Sequence, residues 1–538
     1  MNRILIVNNL SLPLDASFDE AFCLASKKLS SIGVNAFGFN PRIYKKSIDA
    51  RKKQEIKLVF SVAFEGDIPE ISKEKLAKIN ACFDNSETPQ ITLGDSLLSD
   101  RPFVVGSGPA GLFCALLLAE NGYKPIILER GGSVVERIEQ IERFKLTRIL
   151  DTNTNIQFGA GGAGTFSDGK LITRVNDGMS SYVLKRLVEF GAPKDITYMA
   201  KPHIGTDILS KIVDAILARI KALGGEVLYH TRFEDADFSN GKISRISTNK
   251  GDFSVGALVL AIGHSARDTY STLIKRGLSI EAKNFSVGMR VEHLASAIDE
   301  AMFGNFAGHK ALGHAEYSLS HNTKVRGVYT FCMCPGGVVV PAASEENGVV
   351  VNGMSYHSRD GKNSNSAVVC SVFKKDFGSD PIKAIEFQRQ IERTAFKCGG
   401  SDYTAPMITV GDFLNGKLER MPTDVQPSYM GGKFKLTSPY DYLPSFVCDG
   451  IKDALLSFDR KINGFANERA VLTGPETRTS APIRILRDNN TNLALGYENL
   501  YPSGEGAGYA GGITSAAIDG VRVALSLMKK YSPKLNLG

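Results

Sequence analysis

Tryptophan is absent from the 538 residues, an absence that decides nothing with 29 Phe and 17 Tyr present. The chain also lacks any apolar run of the roughly 18 residues that a membrane-spanning helix needs. The longest such run, near 110–119, is cut at once by Glu120. The N-terminal stretch MNRILIVNNLSLPLD has one arginine and a very short apolar segment, so it does not read as a secretory leader, and a cytoplasmic protein is expected. Cysteine is sparse: eight, scattered, as suits reduced thiols rather than a disulfide framework. No cluster has the spacing of a metal site, and neither a fixed-period repeat nor a long low-complexity tract is present.

What is there describes a soluble globular chain: 43% apolar and 22% charged residues. Its length exceeds one ordinary core and suggests about three units. The 53 glycines lie somewhat above average usage, as repeated close approach of backbone to a ligand would require. Net charge is +7, and much of the basic character is local: Arg42, Lys45, Lys46, Arg51, Lys52 and Lys53 fall within RIYKKSIDARKK. That run reads as a solvated face, or as a surface for a phosphate-bearing or acidic partner.

Residues 1–95 read as a small ferredoxin-like α/β domain in β-α-β-β-α-β order. Its expected strands are 3–7, 34–39, 56–64 and 90–93. Ser17 and Glu20 form a capping box ahead of a helix that ends at Gly33, and a second helix is expected over 73–83. The segment FVVGSGPAGLFCALLLAENGYKPIILERG then opens a doubly wound parallel sheet. A helix over 206–223, a strand over 226–230, a meander through 236–255 and an apolar strand over 257–262 continue it. Residues 265–490 change to Gly- and Ser-rich mixed α/β texture and read as an inserted substrate domain. The discontinuous dinucleotide domain is thus 100–264 plus 491–538.

Within that domain Gly106, Ser107, Gly108, Pro109, Ala110 and Gly111 spell G-x-G-x-x-G between a strand and a helix. Such a turn brings backbone up to a pyrophosphate at a helix N-terminus. Glu129, followed by Arg130, closes the second strand, where a carboxylate can accept from ribose hydroxyls. A second G-x-G-x-x-G begins at Gly159 and ends at Gly164, but neither an apolar strand nor an amphipathic helix flanks it. It reads as backbone passing close to a flat ligand such as an isoalloxazine, or as a flexible surface loop. Near the C-terminus, YPSGEGAGYAGGI sets Glu505 in a glycine turn, with Gly506, Ala507, Gly512 and Ile513 leading into a helix. An acidic acceptor for a ribityl hydroxyl beside helix-start donors points to FAD rather than NAD.

These segments resemble the FAD-dependent oxidoreductases of the glutathione reductase and aromatic hydroxylase superfamily. More closely, SIDARKK, FGAGGAGTFSDGKL, FCMCPGG, ETRTSAPIRI and YPSGEGAGYAGGI resemble a bacterial group of FAD-dependent dehydrogenases whose substrate is unknown. The resemblance spans nearly the whole chain. It implies non-covalent FAD, an adenine contact at Phe233, and a turn at Gly263 where the superfamily has Ala-Thr-Gly. It also implies an Asp where Glu505 stands here, one methylene longer.

Flavin performs the difficult step, so the protein is expected to position and tune it. Thr165 is expected at the cofactor, and Ser167, Asp168 and Lys170 either reach the flavin or substrate, Lys170 by stabilising charge on the reduced ring, or are simply polar surface side chains. Arg478, within Glu476-Thr-Arg478-Thr-Ser480, is expected to hold a carboxylate or phosphate of the substrate, with an interface ion pair as the alternative. Arg290 reads as a structural ion pair, His203 and His264 as structural, and Cys332 and Cys334 as buried thiols. With no second strand-linked dinucleotide motif, NADH or NADPH enters only as a transient donor. The expected function is transfer of hydride or electrons between FAD and an anionic small molecule. The alternatives are a flavoprotein acting on RNA through the basic N-terminal domain, or a non-enzymatic flavin redox sensor.

Overall fold

A computed structural model describes residues 3–172, 177–323 and 325–533. They cluster into two compact units. The first comprises Met1–Thr88, Leu171–His203 and Ser296–Ala315; the second comprises Pro89–Lys170, Ile204–Ala295 and Glu316–Gly538. No helix among the described residues is long and apolar enough to cross a membrane.

The first unit holds a four-stranded antiparallel sheet in the order Asn40–Asp49, Lys57–Gly66, Arg3–Leu12, Ala81–Phe83. Its first helix, Phe18–Ser30, starts on the expected Ser17–Glu20 capping box. Three sequence expectations are corrected here. Residues 34–39 turn rather than extend, leaving Phe37 exposed, and pairing passes to Asn40–Asp49. That strand lies at the sheet edge, where its Arg and Lys side chains blunt further pairing. The second helix stops at Lys78 because Asn80 turns left-handed, φ 54°, and Ala81–Phe83 becomes the fourth strand; residues 90–93 form none.

The second unit contains a five-stranded parallel sheet, ordered Leu500–Pro502, Ala257–Leu260, Pro102–Val105, Ile126–Leu128, Glu226–Leu228. Pro102–Val105 is buried throughout, as a central parallel strand must be. The helix Pro109–Glu120 buries ten consecutive residues, so it is apolar all round and sits inside the unit. The C-terminal helix Ile513–Lys530 packs against it so closely that a Cβ on Gly520 would lie 2.0 Å from the carbonyl oxygen of Ala110. A seven-stranded sheet is built from residues between Phe285 and Glu476. Its order is Ser320–Asn322, Gly327–Cys334, Asn363–Val372, Phe285–Leu294, Val471–Glu476, Ala405–Thr409, Phe434–Leu436.

Gly520→Val forces the two central helices apart and is expected to destabilise the protein by about 3 kcal/mol. Thermal and denaturant unfolding check it, and an unchanged midpoint contradicts the packing described.

Candidate functional site

The glycine turn uses its three glycines for different physical reasons. Gly106 ends the strand at φ 99°, which an L side chain avoids. Gly111 is fixed by packing: a Cβ there would lie 1.9 Å from the Gly106 carbonyl oxygen. Gly108 is neither strained nor crowded, since a Cβ on it would meet nothing nearer than the Gly162 Cα at 3.9 Å. Gly108 thus has room for one Cβ, with the Gly162 backbone crossing just beyond it. Pro109 opens the helix with no side-chain cap, and Ile513–Lys530 likewise starts uncapped after Gly511 and Gly512, which have open space around them. Gly164 joins these two helix starts: a Cβ on it would fall 3.0 Å from Ile513 and 3.8 Å from Pro109. Phosphate or another anion is what two uncapped helix N-termini favour.

Two buried charges hold this arrangement. Glu129, at 4% exposure, accepts from the Ser107 amide (3.1 Å) and hydroxyl (2.6 Å) through one oxygen, and from the amides of Gly131 and Gly159 (3.0 Å each) through the other. All of its roughly four acceptor positions are filled, by both glycine loops and by the Gly131 amide just after it. Arg137 carries no motif, yet it is fully buried and donates to the carbonyls of Asn155, Ile156, Gly159, Ala160 and Gly162, with Phe166 packed on its guanidinium at 4.6 Å. Burial pushes Arg137 down to about 9, against the pull of Glu129. The signal was in the helix pattern: Val134, Arg137, Ile141 and Phe144 form one buried stripe, and a charge inside such a stripe has to be satisfied by something. Arg130 pairs with Asp268 at 3.0 and 2.6 Å and lies over Phe158, leaving its Nε buried without a partner.

After Gly164, Thr165 has a buried hydroxyl with no partner, while its carbonyl accepts from Thr206. Ser167 is spent on a local turn, donating to the Gly164 carbonyl and accepting from the Gly169 amide. Asp168 is fully buried and held by Arg359 and Ser355. Lys170 lies 2.8 Å from Asp168 and 3.3 Å from Glu316; burial presses its ammonium down, and those two carboxylates outweigh it and hold it above its ordinary value. Phe233 is buried in the core cluster with Phe103 and Leu128.

At the other end of the groove, a Cβ on Gly506 would strike the backbone of Gly263 at 2.5 Å, so these two turns touch, while Gly263 itself (φ 70°) has open space beside it. Ala507 is fully buried. The Glu505 carboxyl between them accepts no hydrogen bond from the described residues. Burial pushes it up to about 7, with Lys283 pulling the other way. Lys283 and Arg484 lie close by; burial lowers Lys283, and Arg484 Nε is buried without a partner. His264 accepts or donates at 2.9 Å to Ser265, and burial together with Arg478 and Arg267 pushes it down to about 3, so its imidazole is neutral.

Arg478 is placed elsewhere than an open anion site. Its guanidinium is buried against Glu392 (3.2 and 3.0 Å) and Ser344, and Glu392 is shared with Arg267. Arg290 is the ion pair expected, donating to Glu476 at 2.6 and 2.8 Å and to Asn365 at 2.8 Å. Cys334 is buried, as expected of both thiols, but Cys332 is partly exposed.

Residues 284–479 match the family model described as FAD-dependent protein, C-terminal domain-like, and residues 104–161 match an NAD(P)-binding Rossmann-like domain. An uncharacterized protein of Clostridium beijerinckii is 45% identical over 529 residues, covering 98% of both chains. The chain belongs to this family of FAD-dependent proteins. FAD is its cofactor. Solved structures share little beyond a coarse likeness. L-proline dehydrogenase from P. horikoshii is 13% identical over 81% of this chain and 96% of its own, with a TM-score of 0.33. The glycerol-3-phosphate dehydrogenase from Bacillus halodurans, complexed with FAD, is 10% identical over 82% and 67%, with a TM-score of 0.35. The groove of this flavoprotein fits a dinucleotide: two uncapped helix starts, an uncrowded Gly108, an unpartnered hydroxyl at Thr165, and a Glu505 carboxyl that burial holds up at about 7.

Gly108→Val is expected to fold with an unchanged apoprotein melting temperature and to retain no flavin, whereas Gly111→Ala unfolds; a yellow, stoichiometric Gly108→Val protein contradicts the placement of the phosphates. Arg137→Met strands five carbonyls and is expected to cost about 3 kcal/mol or more and to empty the flavin site. Denaturant midpoints and flavin content of the purified variant check it.

Proposed function

We propose that this flavoprotein transfers hydride or electrons between non-covalent FAD and a small anionic molecule, with NADH or NADPH as a transient donor. The observation that carries the reading is Gly164, lying against the starts of both uncapped helices while its loop-mate Gly162 crosses Gly108. On this reading Gly106–Gly111 and the start of Ile513–Lys530 hold the pyrophosphate, and Glu505 takes a ribityl hydroxyl. Glu129 spaces the two loops, and a ribose hydroxyl reaching it displaces one of its four donors. The cations left to meet an anionic substrate are Lys283 and Arg484, because Arg478 and Lys170 are matched by carboxylates within the fold. FAD supplies the redox chemistry when bound; the chain binds, orients and sets the local charge.

The arrangement of domains we propose is supported by sheet membership. The parallel sheet draws its strands from 100–264 and 491–538, and the seven-stranded sheet draws its own from the inserted 265–490, the substrate domain. The N-terminal sheet is read as ferredoxin-like, supported by its order and its antiparallel pairing. We place the chain in the bacterial dehydrogenase group of the glutathione reductase and aromatic hydroxylase superfamily, on the motifs that span it.

The visible spectrum of the purified protein, followed by anaerobic addition of NADH, NADPH and a panel of small carboxylates and phosphates, tests this reading. Bleaching of a bound flavin by a pyridine nucleotide and its reoxidation by an anionic compound support it, and a flavin that none of them bleaches contradicts it. A proton linkage follows as well. In the apoprotein Glu505 titrates at about 7, and a donating hydroxyl lowers that value, so the complex binds fewer protons than the apoprotein. FAD affinity therefore rises with pH up to about 7 and levels off above it. Glu505→Gln flattens that dependence in a calorimetric pH series; a dependence unchanged by the substitution places the linked proton elsewhere.

A further inference from the structure

Cys332 and Cys334 sit where the strand Gly327–Cys334 falls out of step with Asn363–Val372, the register shifting between Phe331 and Cys334. Cys332 takes φ 45°, a left-handed conformation uncommon for cysteine. Such bulges re-aim side chains beside active sites. The Cys334 thiol donates to the Cys332 carbonyl at 3.4 Å, and neither thiol is in a disulfide. Arg290 braces the pair: its Nη1 lies 3.8 Å from the Cys334 sulfur and donates to the Cys332 carbonyl at 3.0 Å, while Glu476 and Asn365 lock the guanidinium in place. Cys332 also lies near enough to Glu505 for its charge to raise that carboxyl, which sets the thiol at the same end of the groove.

We propose that Cys332 and Cys334 form a redox-active dithiol that exchanges two electrons with the bound FAD, a role that rests on the cofactor placement proposed above. In the oxidising direction both S–H bonds break and one S–S bond forms. Two electrons and two protons pass to oxidised FAD, giving its two-electron-reduced form; the reverse step reopens the bond at the expense of reduced FAD. The thiols are differentiated for this work. The neighbouring Cys334 thiol, with burial opposing and Arg290 assisting, holds Cys332 below the ordinary thiol value, whereas Cys334 is pushed well above it by its neighbour and by burial. Cys332, the partly exposed member, is thus the thiolate that leads in exchange.

The test uses full-length, FAD-loaded protein, pre-oxidised with ferricyanide, desalted, and titrated anaerobically with dithionite. Iodoacetamide trapping and peptide mass measurement are done before and after. Wild type is expected to take up about four electrons per flavin, and Cys332→Ser and Cys334→Ser about two each, since a disulfide is a two-electron couple. The peptide bearing both cysteines is expected to resist alkylation at first and to be doubly alkylated after reduction. Wild type that takes up two electrons, with both thiols alkylated from the outset, overturns the dithiol and leaves the cofactor reading standing. Wild type that retains no flavin overturns both. Should a serine variant fail to fold, the wild-type electron count and peptide masses decide alone.

Discussion

A glycine loop has no side chains with which to hold its own shape, and in this protein two such loops are held by one buried cation and one buried anion. Arg137 gathers three carbonyls of the second loop and two from the residues leading into it, and Glu129 gathers amides from both loops. Each isolated charge is costly inside a fold; each is kept here because its hydrogen-bonding capacity is matched by backbone groups that glycine leaves accessible. Gly159 shows how tight the fit is, since a Cβ there would lie 2.2 Å from the Arg137 side chain. The position of Gly164 between the two helix starts, and so the whole dinucleotide groove, depends on that brace.

The same logic separates structural from reactive charge in the second unit. Arg267, Arg290, Arg478, Asp168 and Glu392 are all buried, and all are engaged by protein partners. Glu505 is different. Its carboxyl has no donor among the described residues, and burial is the largest influence on its titration, ahead of Lys283 and Cys332. A carboxyl without a protein donor, in the same groove as the unmatched Thr165 hydroxyl, marks a place where a ligand completes the site.

Much of this was legible in the sequence, and the parts that were not share a cause. The strand, turn and helix from Pro102 to Glu120 are specified by local rules: a short buried run, glycines at fixed spacing, proline at the first helical position. The turn at Glu505 was readable for the same reason. Arg137 was not read, because its partners are backbone carbonyls some twenty residues away and leave no side-chain signature. Arg478 was read as an anion holder from its forked chemistry alone, and only the fold reveals that Glu392 occupies that fork. In the N-terminal sheet, the strand at Ala81–Phe83 was hidden behind a helical pattern that one left-handed residue, Asn80, interrupts.

The central claim is that one dinucleotide spans both helix starts with the second glycine loop between them. Hydrogen–deuterium exchange of the apoprotein with and without added FAD tests it most directly. Protection is expected at the backbone amides of Ala110 and Gly111, of Gly162 to Thr165, and of Gly512 to Thr514, together and with one saturation curve. Protection confined to one of the three, or absent from all at saturating FAD, contradicts it.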